Sequence, residues 1–220
     1  ESPCPVIDES ERHYLMSLAA KAADAIDYLN TGTFEFLMDK DHNFYFMEMN
    51  TRLQVEHPIT EMVTGFDIVK LQLIVAAGEK LPISQKDVKV NGTSIECRIN
   101  AEDPTMNFMP QAGLIKSIHF PVGCLGARVD SGVDSGSVIS PFYDSMIAKL
   151  IAHGKNRHEA LSIMDRMLDE FTIDGIKTNA QYHKALLHTP TVLQGMANTE
   201  FIEKKFAPVW QQLVKEEETK

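Results

Sequence analysis

Between residues 8 and 29, apolar side chains recur at helical spacing: Leu15, Leu18, Ala19, Ala22, Ala23, Ile26 and Leu29. This recurrence predicts a helix with one apolar stripe. Asp8 or Ser10 can cap it, and Gly32 marks its exit. The pattern then shortens. Residues 33 to 38 and 44 to 49 are aromatic-rich runs separated by the polar stretch Asp39 to Asn43, which predicts a hairpin. Residues 67 to 77 read as a buried helix ending at Gly78. From about 87 to 150 the texture is of short β-type runs: 88 to 90, 93 to 100, 114 to 120, 127 to 130 and 146 to 153. Helical spacing returns at 157 to 171, with Ala160, Ile163, Met164, Met167, Leu168 and Phe171 on one stripe. Two more helices are predicted near 178 to 188 and 199 to 215, and the tail 216 to 220 is expected to fray. Helices and strands in mixed order argue an α+β fold with a largely antiparallel sheet.

Composition narrows the function classes. The 220 residues suffice for one large domain or two small ones. Lys and Arg number 21 against 31 Asp and Glu, a net charge of -10, which argues against nucleic acid as a partner. No apolar run reaches the roughly 18 to 20 residues of a membrane span. The opening Glu1-Ser2-Pro3 reads as the middle of a linker, not a signal peptide, so a larger parent chain is expected. Cys4, Cys97 and Cys124 lack metal-ligand spacing and read as reduced thiols of a cytoplasmic protein. Cys97 is expected to be buried, facing away from its neighbour Arg98, since side chains in a strand alternate. Asp130 and Asp134 lie among Gly and Ser and read first as turn residues. His57 reads as a hydrogen bonder that fixes a loop. Tyr143 and Asp144 could support a site or pack the domain.

One segment carries candidate chemistry. If the hairpin closes with a four-residue loop at 40 to 43, Asp39 faces Phe44 and Glu35 faces Glu48. Facing side chains lie about 5 Å apart at Cβ. Two carboxylates at that distance repel unless a proton or cation lies between them. Asn50 shares the face of Glu48. This all-oxygen set suits Mg²⁺ or Mn²⁺, with waters and a substrate phosphate completing the shell. The polar row then continues through Arg52, Gln54 and Glu56, alternating with Thr51, Leu53 and Val55, if the chain stays extended. The same row would also suit the solvated face of an edge strand. The position of Glu35 between Phe34 and Phe36, and the pairing of carboxylate with carboxylate, weigh against that alternative.

Phe34-Glu35-Phe36, the run Met47-Glu48-Met49-Asn50-Thr51-Arg52-Leu53-Gln54-Val55-Glu56-His57-Pro58 and Thr60-Glu61 resemble the signature of biotin carboxylases in the ATP-grasp superfamily. Residues 96 to 104, 141 to 146 and 172 to 179 resemble the same family, so the likeness covers nearly the whole chain. It implies a fold: the C-terminal half of an ATP-grasp domain over 1–85, and the biotin carboxylase C-terminal α/β cap over 86–220. It implies an activity: ATP phosphorylates bicarbonate to carboxyphosphate, which delivers CO₂ to biotin on a carrier protein. Glu35, Glu48 and Asn50 match the family's ligands for Mg²⁺ or Mn²⁺, the two glutamates holding the nucleotide phosphates through the ion. Arg52, Gln54 and the Val55 backbone match its bicarbonate contacts, Glu56 its general base, and Arg98 the residue that stabilises the enolate of biotin.

The resemblance also implies partners: a biotin carboxyl carrier protein or domain, a carboxyltransferase component, the N-terminal ATP-grasp half with its glycine-rich lid, and a second copy of the chain in a homodimer. The nucleotide clamp belongs to that upstream half, and no Gly-rich loop occurs here, so the chain by itself is expected not to turn over ATP. Two other readings compete. One is a different ATP-grasp ligase such as a carbamoyl-phosphate synthetase, which the Gln54-to-Pro58 run and Arg98 disfavour. The other is a non-catalytic docking module.

Overall fold

The computed structural model describes residues 1–218, and the chain separates into two compact units between Asn91 and Gly92, with Glu1 joining the second. In the first unit, α1 (Glu9–Ala25) starts at Asp8, whose side chain accepts from the Glu11 N–H while Glu11 reaches back to the Asp8 N–H. This reciprocal cap satisfies two N–H groups that a helix start leaves without partners. The helix ends earlier than predicted. Ile26 and Asp27 bond back to Ala23 and Asp24, and Asp27 turns left-handed at a φ of 49°. Ile26 and Leu29 thereby leave the apolar stripe.

The hairpin follows as β1 (Thr33–Met38) and β2 (Phe44–Asn50), then α2 (His57–Thr64) and α3 (Ile68–Ala76). The periodicity missed α2, a helix of eight residues started by Pro58 in its first turn. Proline suits that position because its missing N–H would have no helical partner there. Helix α3 is capped by Asp67, which accepts the Lys70 N–H, and ends at Ala76, shortly before the left-handed Gly78. It is not buried as predicted: among the described residues of this unit only Pro58 and Val63 are fully covered. Residues 88 to 90 form no strand, since a 3-10 turn at Gln85–Asp87 precedes them.

The second unit holds the continuous core. Its strands are β3 (Thr93–Asn100), β4 (Glu102–Asp103), β5 (Met109–Pro110), β6 (Gly113–Leu114), β7 (Ser117–His119), β8 (Ala127–Ser131), β9 (Val138–Ile139) and β10 (Met146–Gly154). Helix α4 (Arg157–Glu170), β11 (Thr172–Asp174), α5 (Ala180–Leu187), the short α6 (Pro190–Leu193), a π turn at Ile202–Phe206 and α7 (Ala207–Glu218) complete it. Residues 219 and 220 of the tail expected to fray lie outside the described residues.

The main sheet has the order β3-β10-β8, with both pairings antiparallel. Ile95, Cys97 and Ile99 of β3 and Ala148, Leu150 and Ala152 of β10 join Ala160, Met164, Met167 and Leu168 of α4 in one buried cluster. Full burial of a side chain such as Leu150 or Ile99 contributes roughly 1.5–3 kcal/mol. The predicted run 114 to 120 is divided into β6 and β7, because Ile115 turns into the core between them with no exposure. The observed class is α+β with antiparallel pairing throughout the described strands.

Candidate functional site

The hairpin turn is built by Asp39. Its carboxylate accepts from the N–H groups of Asp41 and Asn43 and from the Asn43 side-chain amide. These bonds, the Asn43 amide first, hold the Asp39 carboxyl below the usual range. The loop is one residue longer than the sequence suggested, so Met38, not Asp39, faces Phe44. Carried along both strands, that register would bring Glu35 opposite Met47. A β-bulge instead shifts the pairing between Phe36 and Glu35, and Glu35 faces Glu48. Bulges insert one unpaired residue and are concentrated beside functional sites.

The bulge helps bring four predicted residues together. Asn50 Nδ2 donates to Glu35 Oε1 at 2.8 Å and to Glu48 Oε1 at 2.9 Å. Gln54 Nε2 donates to the same Glu35 oxygen at 2.8 Å. Two like charges are thus held on one face by amide N–H groups placed between them. The donor chemistry fits a hard divalent cation: two carboxylates, with the Asn50 carbonyl oxygen on the same side chain as the bridging amide. Glu35, Glu48 and Asn50 are the residues that would hold it.

Beyond Asn50 the chain does not stay extended. Arg52 sits in a bend, exposed, with Nη1 donating to Leu53 O at 3.4 Å. Val55 and Glu56 form a turn, and Glu56 ends at the threshold of α2 with a φ of -82° and a ψ of 9°. The expected five-residue polar row is therefore cut short, because Pro58 at the start of α2 commits the chain to a helix. Gln54 lies with the acidic pair, and Val55 and Glu56 are half-buried. His57 Nδ1 meets Gln54 O at 2.8 Å, the loop-fixing contact expected of it. Glu61 accepts the Ile68 N–H at 2.7 Å and ties α2 to the start of α3.

Arg98 belongs to the second unit. It projects from β3 as an exposed side chain, between the buried Cys97 and Ile99. Lys149 of β10 faces it, and Asp130 of β8 faces Lys149, so three charges cross the sheet in one row. Arg128 clasps Asp130 with two bonds, at 2.8 and 2.9 Å, and Lys149 Nζ lies 3.6 Å away. Burial pushes the Asp130 carboxyl up, but the two cations outweigh it and hold it below the usual range. Asp130 is thus a strand residue in an ion network, not the turn residue its neighbours suggested. The β-type run predicted at 127 to 130 already included it, and the structure favours that reading over the turn. Asp134 does form a turn, with Ser137. Tyr143 is 84% exposed and so does not pack this unit, and Asp144 accepts the Met146 N–H at the entrance to β10.

Cys97 faces the core, and burial pushes its thiol up to about 12. The thiolate is the reactive form. Alkylation of the native protein near neutral pH is therefore expected to label the exposed Cys4 and spare Cys97 until denaturant is added. Mass mapping of the modified peptides checks this, and rapid native labelling of Cys97 would contradict it.

Residues 96–204 match the family model described as biotin carboxylase C-terminal domain, and residues 1–84 match that of the carbamoyl-phosphate synthase L chain, ATP binding domain. Biotin carboxylase 1 of Bacillus subtilis (strain 168) is 52% identical over 204 residues, which are 92% of this chain and 45% of that protein. The chain belongs to the biotin carboxylase family.

The biotin carboxylase of Pseudomonas aeruginosa is 50% identical over 205 residues, which are 93% of this chain and 45% of that protein. The solved biotin carboxylase domain dimer of Hydrogenobacter thermophilus 2-oxoglutarate carboxylase, in complex with MgADP, ADP and bicarbonate, superposes with a TM-score of 0.90 at 44% identity. That match covers 92% of this chain and 45% of the solved one. The chain thus spans less than half the length of these relatives. Its fold is the C-terminal part of a biotin carboxylase: ATP-grasp half followed by the family's cap.

Proposed function

We propose that this chain supplies the metal, base and biotin side of a biotin carboxylase, which carboxylates biotin on a carrier protein at the expense of ATP and bicarbonate through carboxyphosphate. The reading rests on the facing pair Glu35 and Glu48, bridged by Asn50. Residues 1–85 are assigned to the ATP-grasp half and 86–220 to the C-terminal cap. Glu35, Glu48 and Asn50 would hold Mg²⁺ or Mn²⁺, which, when bound, screens the negative charge of the nucleotide phosphates.

The remaining roles follow from the residue types. Arg52 offers a fork of N–H donors that matches a planar anion better than a lysine would. With Gln54 and the Val55 backbone it holds bicarbonate, whose own charge resists attack on a phosphate. Glu56 removes the bicarbonate proton, and an anion gripped by a guanidinium is easier to deprotonate. The biotin N1′ nitrogen is amide-like and a poor nucleophile. Arg98 places a cation where charge develops on the ureido oxygen, an interaction on the order of 3 kcal/mol.

The partners are the upstream ATP-grasp half, the biotin carrier, a carboxyltransferase component and a second copy of the chain. The cytoplasm is the proposed location, supported by three free cysteines. Among the described residues, no helix is long and apolar enough to cross a membrane. The names of the relatives and the Gln54-to-Pro58 run favour biotin carboxylation over carbamoyl-phosphate synthesis.

Isothermal titration with MgADP and with free biotin, on this chain and on a longer chain that adds the upstream half, tests the reading. Binding is expected only with the upstream half present, and bicarbonate-dependent ATP turnover is expected to be absent from the isolated chain. Turnover by the isolated 220 residues would contradict the division of the site. Absence of binding in both proteins would favour a docking module.

A further inference from the structure

Strand β3 lies at an edge of its sheet, paired with β10 on one side only. An edge strand turns every second residue's N–H and C=O outward, without a ladder partner. At Arg98 and Asn100 these outward groups are taken by the segment that opens α5. Asn179 Nδ2 donates to Arg98 O at 3.1 Å, and Asn179 Oδ1 accepts the Asn100 N–H at 2.9 Å. The Asn179 backbone N–H donates to Asn100 O at 3.2 Å. One turn on, His183 Nε2 donates to Arg98 O at 2.8 Å.

Asn179 therefore takes the place of a missing neighbour strand. It is 7% exposed and uses both amide ends on the two residues that flank Ile99. Four residues upstream, Gly175 takes a φ of +105° and packs against the backbone of Leu114, where a Cβ would meet Leu114 O at 2.1 Å. Burial holds the His183 imidazole below the usual histidine range, while its bond to Arg98 O and the charge of Glu102 act in the opposite sense. Its neutral form is favoured, so the ring supports the strand without adding a further cation beside Arg98 and Lys149.

We propose that Asn179 is a positioning residue for Arg98, with His183 as its second donor: together they fix the peptide planes of 98 to 100, and so the direction in which the guanidinium leaves the strand. This rests on the proposed role of Arg98 toward biotin. A displacement of about 1 Å at a reacting group can cost on the order of a hundredfold in rate, so a freed edge would weaken the biotin step selectively.

The test uses the longer protein with its upstream half, and two rates. One is carboxylation of free biotin. The other is bicarbonate-dependent ATP hydrolysis without biotin. Asn179→Ala is expected to lower the first at least tenfold more than the second, chiefly in kcat. His183→Phe, which removes the donor, is expected to do the same more weakly, and His183→Gln, which keeps a donor at the Nε2 position, to restore the rate. Arg98→Ala serves as the reference. If it lowers biotin carboxylation while Asn179→Ala and His183→Phe do not, the positioning role is overturned and the reading of Arg98 stands. If Arg98→Ala has no effect on the biotin step, both are overturned. Equal loss of the two rates in the Asn179 and His183 variants would mark a purely structural role and also overturn the proposal. Should Asn179→Ala not fold, the His183 pair alone decides.

Discussion

In the longer protein that adds the upstream half, Glu48→Gln is expected to lower ATP-dependent turnover by about 10²–10³-fold, while the metal-free protein becomes slightly more stable. Both halves of this result follow from the same pair. Glu35 and Glu48 face each other across the hairpin, so each raises the electrostatic cost of the other. Glutamine keeps the shape and still offers an oxygen to the Asn50 amide, but carries no charge. Relief of the repulsion is worth roughly 0.5 kcal/mol for facing strand positions. The same change removes half of the anionic charge available to a divalent ion, whose screening of phosphate is worth several kcal/mol. Thermal unfolding without metal, paired with turnover at saturating Mg²⁺, reads both. A stability loss on Glu48→Gln, or unchanged turnover, would mean that the pair is not an ion site. Active-site residues that destabilise the fold they belong to are a common form of the trade-off between stability and function.

Glu56→Gln, in the same longer protein, is the second large effect: a loss of about 10²–10⁴-fold in bicarbonate-dependent ATP hydrolysis, the range for removing a general base, the role proposed for Glu56. The side chain stands at the threshold of α2, where the chain turns out of the hairpin. Glutamine preserves size and polarity there, so the helix start should persist and the circular dichroism spectrum should not change. The loss should fall on kcat, because Arg52 and Gln54, the proposed bicarbonate contacts, are left in place. A variant that retains more than a tenth of the normal rate would remove Glu56 from the proton transfer and leave the grip on bicarbonate to be explained by its neighbours alone.

These residues differ in how legible they were. Capping at Asp8, the strands 93 to 100 and 146 to 153, and the helix from 157 rest on local chemistry and period, and the structure reproduces them, with β10 running one residue further to Gly154. The facing of Glu35 and Glu48 was anticipated by counting from the wrong loop. The hairpin turn is one residue longer, and the bulge opposite Phe36 restores the pairing. A bulge leaves no reliable mark in a hydrophobic pattern, since it adds one residue without changing composition. Helix α2 was invisible for a related reason: its eight residues are too few for a period to stand out against the polar row before it. Asn179 and His183 lie about 80 positions from the strand they brace, and no short-range rule links the two.

What the sequence determined by itself is therefore what the chain encodes within a turn or a strand: where α1 and α4 begin, which side of β3 is apolar, and a run of residue types specific enough to mark a family. The tertiary structure alone decided which side chains meet. It set the bulge that brings two carboxylates onto one face, the charged row from Arg98 through Lys149 to Asp130, and the clamp on the outer edge of β3. The reason is one of range. Propensity and periodicity act over a few residues, whereas register and edge pairing are settled only when distant backbone groups must satisfy their hydrogen bonds together.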